Sequence, residues 1–122
     1  MKINLQTFRD MAAPEDPTKI GRVLHRLCCG EDFNRFEAEI WLHDHALNST
    51  ISTLANVHRI EILRTPEVVP GYRRKPTRCH RYRIDATPAN LARCYWLLMT
   101  WGYRVPADGR PAPDDGTPPE AA

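Results

Sequence analysis

The sequence predicts an α+β domain, and three observations indicate it. Apolar residues recur at helical spacing in the first half of the chain, two alternating runs flank a Pro-Gly turn signal, and a strongly apolar helical segment follows. The 122 residues suit one domain, since domains typically hold about 100–150 residues. The apolar share of 42% is enough for a compact core.

The N-terminal part predicts an arm followed by an amphipathic helix. Residues 1–17 lack a clear periodicity and contain two prolines, so we expect an arm with a short ordered piece around Ile3, Leu5 and Phe8. The helix begins after Thr18, a favourable N-cap, and ends at Gly30. Its apolar face follows helical spacing through Ile20, Val23, Leu24, Leu27 and Cys28.

The second predicted helix is short. Asn34 and Glu37 form a capping box at its start, because the Asn side chain accepts from an orphan amide while the Glu side chain reaches back. Its buried face is predicted to consist of Phe36, Ile40 and Trp41. A tight connection, residues 43–47, then leads to the next helix.

The third predicted helix has a polar outer surface. Asn48 or Ser49 is its N-cap, and it ends near residues 57–58. Its inward side chains are predicted to be Ile51, Leu54 and Ala55. Its outward positions all carry small hydrogen-bonding side chains, namely Ser49, Thr50, Ser52, Thr53 and Asn56.

A basic hairpin is predicted after the third helix. Residues 60–62 and 79–84 alternate as strands, and the connection between them contains Pro66, Pro70-Gly71 and Pro76, so we expect it to be long with a turn only at its tip. Residues 56–83 hold eight basic side chains against two acids, or +6, while the whole chain carries +2. Positive charge gathered on one hairpin is typical of a protein that meets a polyanion.

A C-terminal helix completes the predicted domain. It opens at Thr87-Pro88, a cap followed by proline at the first helical position, and Gly102 ends it. The predicted inner stripe is Leu91, Cys94, Tyr95, Leu98 and Met99. Trp96, Leu97 and Trp101 leave little polar surface elsewhere, so the helix needs cover on more than one side. We expect the first amphipathic helix and the hairpin to cover one side and a second copy of the chain, in a homodimer, to cover the other. Residues 104–122 are rich in proline and predict a disordered tail.

The order of these elements resembles the small winged helix-turn-helix proteins common in phage and prophage genomes. The resemblance covers about residues 18–84 and depends on three stretches, residues 33–38, residues 48–52 and the two runs 60–62 and 81–84. It implies a winged helix-turn-helix domain over residues 18–103, made of three helices and a long β-hairpin wing with an added C-terminal helix. It also implies that the protein binds double-stranded DNA as a transcriptional regulator or accessory factor.

In this family the third helix enters the major groove while the wing lies over the flanking backbone or minor groove. Hydroxyl and amide groups can donate to phosphates or read base edges, and Arg and Lys side chains neutralise phosphates. The expected groove contacts are Ser49, Thr50, Ser52, Thr53 and Asn56, and the expected wing contacts are Arg73, Arg74, Lys75, Arg78 and Arg81. Residues 31–55 sum to −4, so the wing has to supply most phosphate contacts, and a dimer would double the wings.

The sequence offers little support for enzyme chemistry, a metal or a cofactor. The four cysteines lack C-x-x-C spacing, and His43-Asp44-His45 has no second His/Cys pair of matching spacing. No apolar run reaches the roughly 20 residues that span a bilayer, so we expect a cytoplasmic protein, nucleoid-associated or in the host cytoplasm if phage-encoded. Two alternatives stay open: a winged-helix adaptor for protein partners, and a single-strand binder that uses Tyr72 and Tyr82.

Overall fold

A computed structural model describes residues 2–106, and it confirms the α+β class. The elements are α1 (Leu5–Arg9), α2 (Lys19–Cys28), α3 (Arg35–Trp41), α4 (Leu47–Asn56), β1 (Ile62–Pro70), β2 (Pro76–Ile84) and α5 (Pro88–Thr100). The two strands form one antiparallel hairpin. Helix α2 lies at the centre, where it packs against α1, α4, α5 and β2.

The N-terminal segment packs against the rest of the fold, and the short ordered piece expected around Ile3, Leu5 and Phe8 contains helix α1. Asn4 caps α1 with a capping box, and Phe8 is fully buried. Ala12 pairs with Arg104 through two backbone hydrogen bonds, which also moves the start of the predicted tail past residue 104. The burial of Phe8 supplies the free energy that orders a segment with little periodicity of its own. The rest of the predicted tail, from residue 107, lies outside the described residues.

Helix α2 matches its prediction. The Thr18 hydroxyl accepts from the amide of Gly21 at 3.1 Å, and Gly30 follows the helix with a φ of 94° that favours glycine. The predicted apolar face is buried at Val23, Leu24, Leu27 and Cys28 and half-buried at Ile20. Ten residues give almost three turns, which is enough for the apolar stripe to define one face.

Helix α3 has its predicted capping box but buries a different face. Asn34 accepts from the amides of Phe36 and Glu37, and Glu37 accepts from the amide of Asn34. The buried stripe runs at a spacing of four residues through Asn34, Ala38 and Leu42. The predicted burial of Ile40 and Trp41 is wrong, because these side chains are 71% and 51% exposed.

Helix α4 begins at Leu47, so neither Asn48 nor Ser49 is its N-cap. Ala46 takes that position and makes no side-chain cap, while the buried Asp44 side chain accepts from the Ala46 amide at 2.9 Å and from the Thr50 hydroxyl at 2.7 Å. Leu47 is buried, which draws the start of the helix inward. Of the predicted inward residues, Ile51 and Leu54 are buried and Ala55 is half-buried.

The hairpin is more regular than predicted. Its strands hold nine residues each in a register from Ile62↔Ile84 to Pro70↔Pro76, so the connection is only residues 71–75 and the prediction of a long loop is wrong. Pro66 lies inside β1 opposite His80. Both strands are edge strands, where a residue whose N–H would face outward can be proline.

The hairpin is joined to the helices at its base. Asn90 of α5 is buried and accepts from the Glu61 amide at 2.8 Å, and its own amide donates to the carbonyls of Glu61 and Asp85. Farther along, Phe33 and Tyr82 exchange two backbone hydrogen bonds of 3.1 and 2.9 Å. The segment before α3 is thereby tied to β2.

Helix α5 buries most of its predicted stripe. Leu91, Cys94, Tyr95 and Leu98 are buried and Met99 is half-buried. Leu97 and Trp101 pack against the core, and the Trp101 ring meets the His58 ring edge-on at 5.3 Å. Part of the α5 surface that was expected to pack against a second copy therefore packs against the chain itself. Trp96 stays 63% exposed.

Candidate nucleic-acid interface

The outer face of α4 presents three of its five predicted polar residues to solvent. Ser49, Ser52 and Asn56 are exposed, and the Asn56 amide donates to the Ser52 hydroxyl at 3.0 Å. Thr50 and Thr53 are half-buried, and the Thr50 hydroxyl donates to Asp44. The neutral hydrogen-bonding surface is therefore narrower than predicted, and Thr50 mainly supports the start of the helix.

The tip of the hairpin carries exposed cations. The exposed side chains here are Arg73, Arg74, Lys75 and Arg78. Arg73 and Arg74 have φ values of 56° and 63°, in the left-handed region that arginine seldom adopts. Backbone strain of this kind clusters at functional sites, since glycine or asparagine would relieve it. Two consecutive arginines at such positions favour a role for their side chains over local stability.

Gly71 makes the tight tip possible. A Cβ at this position would overlap the Thr77 hydroxyl, and the Gly71 amide donates to the Lys75 carbonyl at 2.7 Å. The backbone of the tip is closed by a second bond, from the Arg74 amide to the Gly71 carbonyl. The Pro-Gly signal in the sequence therefore marks the turn correctly.

Arg81 has a different environment from the other predicted wing contacts. Its guanidinium donates to Asp32 at 2.7 Å, to both oxygens of Glu37 at 3.0 and 3.2 Å and to Glu67 at 3.1 Å. Hydrogen bonds to Glu37 and Asp32 raise the pKa of Arg81 above its usual range. Arg81 is therefore poorly placed to contact DNA, because carboxylates already occupy its donors.

A groove of about 580 Å³ separates the hairpin from the first turns of α3 and α4. Its lining residues are Arg35, Asn48, Pro66, Glu67, Val68, Arg78, Cys79 and His80. Arg35 and Arg78 bring two exposed cations to this groove. The groove joins the hairpin to the α4 surface, because Asn48 lies on α4 one turn before Ser52.

Sequence reasoning missed Asn48 and Arg35 as groove residues. Asn48 is exposed, and its side-chain oxygen accepts from the Tyr82 hydroxyl at 2.8 Å, which leaves the amide nitrogen as a donor. Its spacing of four and eight residues from Ser52 and Asn56 was the available signal, because those three positions share one helical face. Arg35 is the one basic residue within residues 31–55, and that was its signal.

The acid and the thiol of the groove are poorly placed for catalysis. A hydrogen bond from Asn34, followed by one from Arg81, lowers the pKa of Glu67, so its carboxylate is ionised and already paired. Burial, with the charge of Glu67, raises the pKa of Cys79. A raised pKa favours the thiol over the reactive thiolate. Neither group is prepared to act as a base or a nucleophile.

Comparison with known proteins adds no relative. No family model, curated protein or solved structure matches the chain. Within residues 2–106, no three His, Cys, Asp or Glu side chains are grouped so that they could hold a metal ion. No helix in that part of the chain has the length and apolarity needed to cross a membrane. The functional interpretation therefore depends on the geometry of the surface.

Proposed function

We propose that the chain is a winged helix-turn-helix protein that binds double-stranded DNA. The observation that supports this proposal is the groove, which is lined by Arg35 and by Asn48 of α4 on one side and by hairpin residues that include Arg78 on the other. Helices α2, α3 and α4 followed by the hairpin have the element order of a winged helix. In this arrangement α4 enters the major groove and the hairpin is the wing.

The two surfaces have complementary tasks. Ser49, Ser52 and Asn56 can donate to or accept from base edges, and Asn48 adds an amide at the groove. Helix α4 has no basic residue of its own. Attraction to phosphate therefore comes from the wing tip and from Arg35, and we expect affinity to fall steeply with salt.

We further propose that two copies bind together through the surface around Trp96. This side chain is 63% exposed on α5, beside the half-buried Leu97. A two-fold dimer presents two recognition helices to half-sites about one DNA turn apart and doubles the wings. The role that fits such a protein is that of a small cytoplasmic transcriptional regulator or accessory factor of phage type.

Two pairs of substitutions test DNA binding by the wing. Lys75→Gln with Arg78→Gln removes two cations from the wing and groove, and Lys2→Gln with Lys19→Gln removes two exposed cations elsewhere. Binding to a mixed-sequence duplex should weaken in the first variant, with the slope of log K against log salt reduced by about 2. Equal slopes in both variants, or no binding by the wild type at low salt, would contradict the proposal.

A protein-binding adaptor is the second candidate, and one observation favours it. Ile40 and Trp41 are exposed on α3, in a segment that also carries Glu37 and Glu39. Such an apolar and acidic surface suits a protein partner more than DNA. If Ile40→Ser with Trp41→Ser leaves DNA affinity unchanged but removes the function of the protein in cells, the adaptor function is supported.

A further inference from the structure

Arg81 and three carboxylates join the middle of the hairpin to the start of α3, and we call this group of Arg81, Asp32, Glu37 and Glu67 the clamp. Arg81 belongs to β2, Glu67 belongs to β1, and the other two carboxylates belong to the α3 region. The ion pairs measure 2.7 Å to Asp32, 3.0 Å to Glu37 and 3.1 Å to Glu67. The clamp therefore connects both strands to one helical segment.

The clamp is continuous with buried structure. Glu67 also accepts from the side-chain amide of Asn34 at 3.1 Å, and Asn34 is the buried N-cap of α3. Glu37 completes the capping box of the same helix. The Arg81, Glu37 and Glu67 side chains are only 28–29% exposed, so solvent screens their two ion pairs less than it screens a surface ion pair, whereas Asp32 is 50% exposed.

The clamp lies far enough from the hairpin tip that a small rotation at the clamp displaces the tip by several ångströms. Five residue steps separate Arg81 from Pro76 at the start of β2, or about 17 Å at a rise of about 3.4 Å per residue. A rotation of about 10° at the clamp would move the tip by about 3 Å, which is the length of a hydrogen bond. A two-stranded hairpin has little stability of its own, so its angle depends on such anchors.

We propose that Arg81 is a positioning residue, which sets the angle between the wing and α4 so that both engage one duplex. This inference rests on the proposed DNA binding. The clamp gathers three negative charges around one positive charge next to a surface that meets DNA. Electrostatics alone would disfavour that arrangement, and positioning of the wing explains why it is present.

The first test measures the orientation of the wing without DNA. Residual dipolar couplings of the wild-type protein should fit one alignment for the helices and the hairpin. In Arg81→Lys, which keeps the charge but loses the planar fork of donors, the couplings of the hairpin should shrink relative to those of the helices. Hairpin couplings unchanged from the wild type would overturn the proposal, whether or not the protein binds DNA.

The second test uses the sign of a charge effect. Glu37→Gln keeps a capping oxygen and makes the surface more positive, so charge alone predicts tighter DNA binding. If the clamp positions the wing, Glu37→Gln should instead weaken binding. The loss is about fivefold if the fraction of molecules whose wing has the DNA-binding orientation falls to about one fifth. Tighter binding by Glu37→Gln would overturn the proposal.

Arg81→Lys and a matched control complete the DNA experiment. Arg81→Lys should weaken binding with an unchanged salt slope, because no phosphate contact is lost. Arg83→Lys, an exposed position on the same face of β2, should leave both affinity and slope unchanged. Because lysine keeps the charge, Arg81→Gln makes the comparison with a phosphate contact, and a slope reduced by about 0.9 in Arg81→Gln would make Arg81 a phosphate contact and contradict the positioning role. A wild type without DNA affinity would remove the proposed function, while the couplings still decide whether the clamp holds the wing.

Discussion

Arg74 lies at the hairpin tip with a φ of 63°. This backbone conformation lowers the stability of the fold, while the side chain is proposed to contact DNA. The left-handed conformation costs a residue with a Cβ roughly 1–2 kcal/mol. Replacement by glycine removes that strain but adds about 0.5–1 kcal/mol of backbone entropy to the cost of folding. Arg74→Gly should therefore stabilise the fold by about 0.5–1 kcal/mol, which raises Tm by roughly 2–8 °C.

The same substitution should weaken DNA binding. Each phosphate contact contributes about 0.9 to the salt slope, so the loss of one contact costs about eightfold in affinity at about 0.1 M salt. A more stable protein that binds DNA less well is the expected combination. Thermal unfolding measures the first effect, and fluorescence anisotropy of a labelled duplex over a range of salt concentrations measures the second.

Lys75→Gly is the matched control, because it removes a neighbouring charge without relieving a positive φ. It should weaken binding to a similar degree but lower the free energy of unfolding by about 0.5–1 kcal/mol. Arg74→Gly and Lys75→Gly should thus differ in stability and agree in affinity. If Arg74→Gly lowers Tm, the argument from backbone strain is refuted, and if it leaves affinity and slope unchanged, Arg74 is not a DNA contact.

Three further predictions concern single side chains. The pKa of Glu67 lies below its ordinary value of 4.5, so the ionised group stabilises the fold above about that pH and the contribution is lost as the pH falls through the lowered pKa. Urea unfolding of wild type and Glu67→Gln should show a stability difference that is constant above about pH 5 and shrinks toward pH 3; a constant difference would contradict it. Asn90→Ala should cost about 1–3 kcal/mol in the same assay, since it leaves buried backbone groups at the hairpin base without partners; a loss below about 0.5 kcal/mol would show that water replaces them. Tyr82→Phe should weaken DNA binding less than Asn48→Ala does, because it removes only the bond that orients the amide; the reverse order in an anisotropy titration would place the contact at Tyr82.

The apolar faces of α2 and α5 were predicted well from the sequence, and the buried face of the short helix α3 was predicted badly. Helices α2 and α5 have ten and thirteen residues, so their apolar stripes recur often enough to define one face. Helix α3 has seven residues, fewer than two full turns, and either of two faces fits its pattern. The small Ala38 is its buried centre, and burial of a small residue leaves little signal in the sequence.

Other errors came from partners that are distant in the sequence or chemically unexpected. Asp44 supports the start of α4 from outside the usual cap position. Pro66 continues a strand because β1 is an edge strand of a two-stranded sheet. In the sequence Arg81 resembles the other basic residues of the hairpin, but two of its carboxylate partners lie 44 and 49 residues away in the chain. The net positive charge of the hairpin could be predicted from composition, but the carboxylates that pair with Arg81 could be identified only from the folded structure.

An NMR titration with a mixed-sequence duplex tests the central claim most directly, because it reports the binding surface residue by residue. We expect the largest amide shift changes at the hairpin tip, residues 73–78, and along the exposed face of α4 at Asn48, Ser52 and Asn56. The changes should disappear as salt is raised. Shift changes confined to α3 around Ile40 and Trp41, or no changes at low salt, would contradict the claim that α4 and the wing bind DNA.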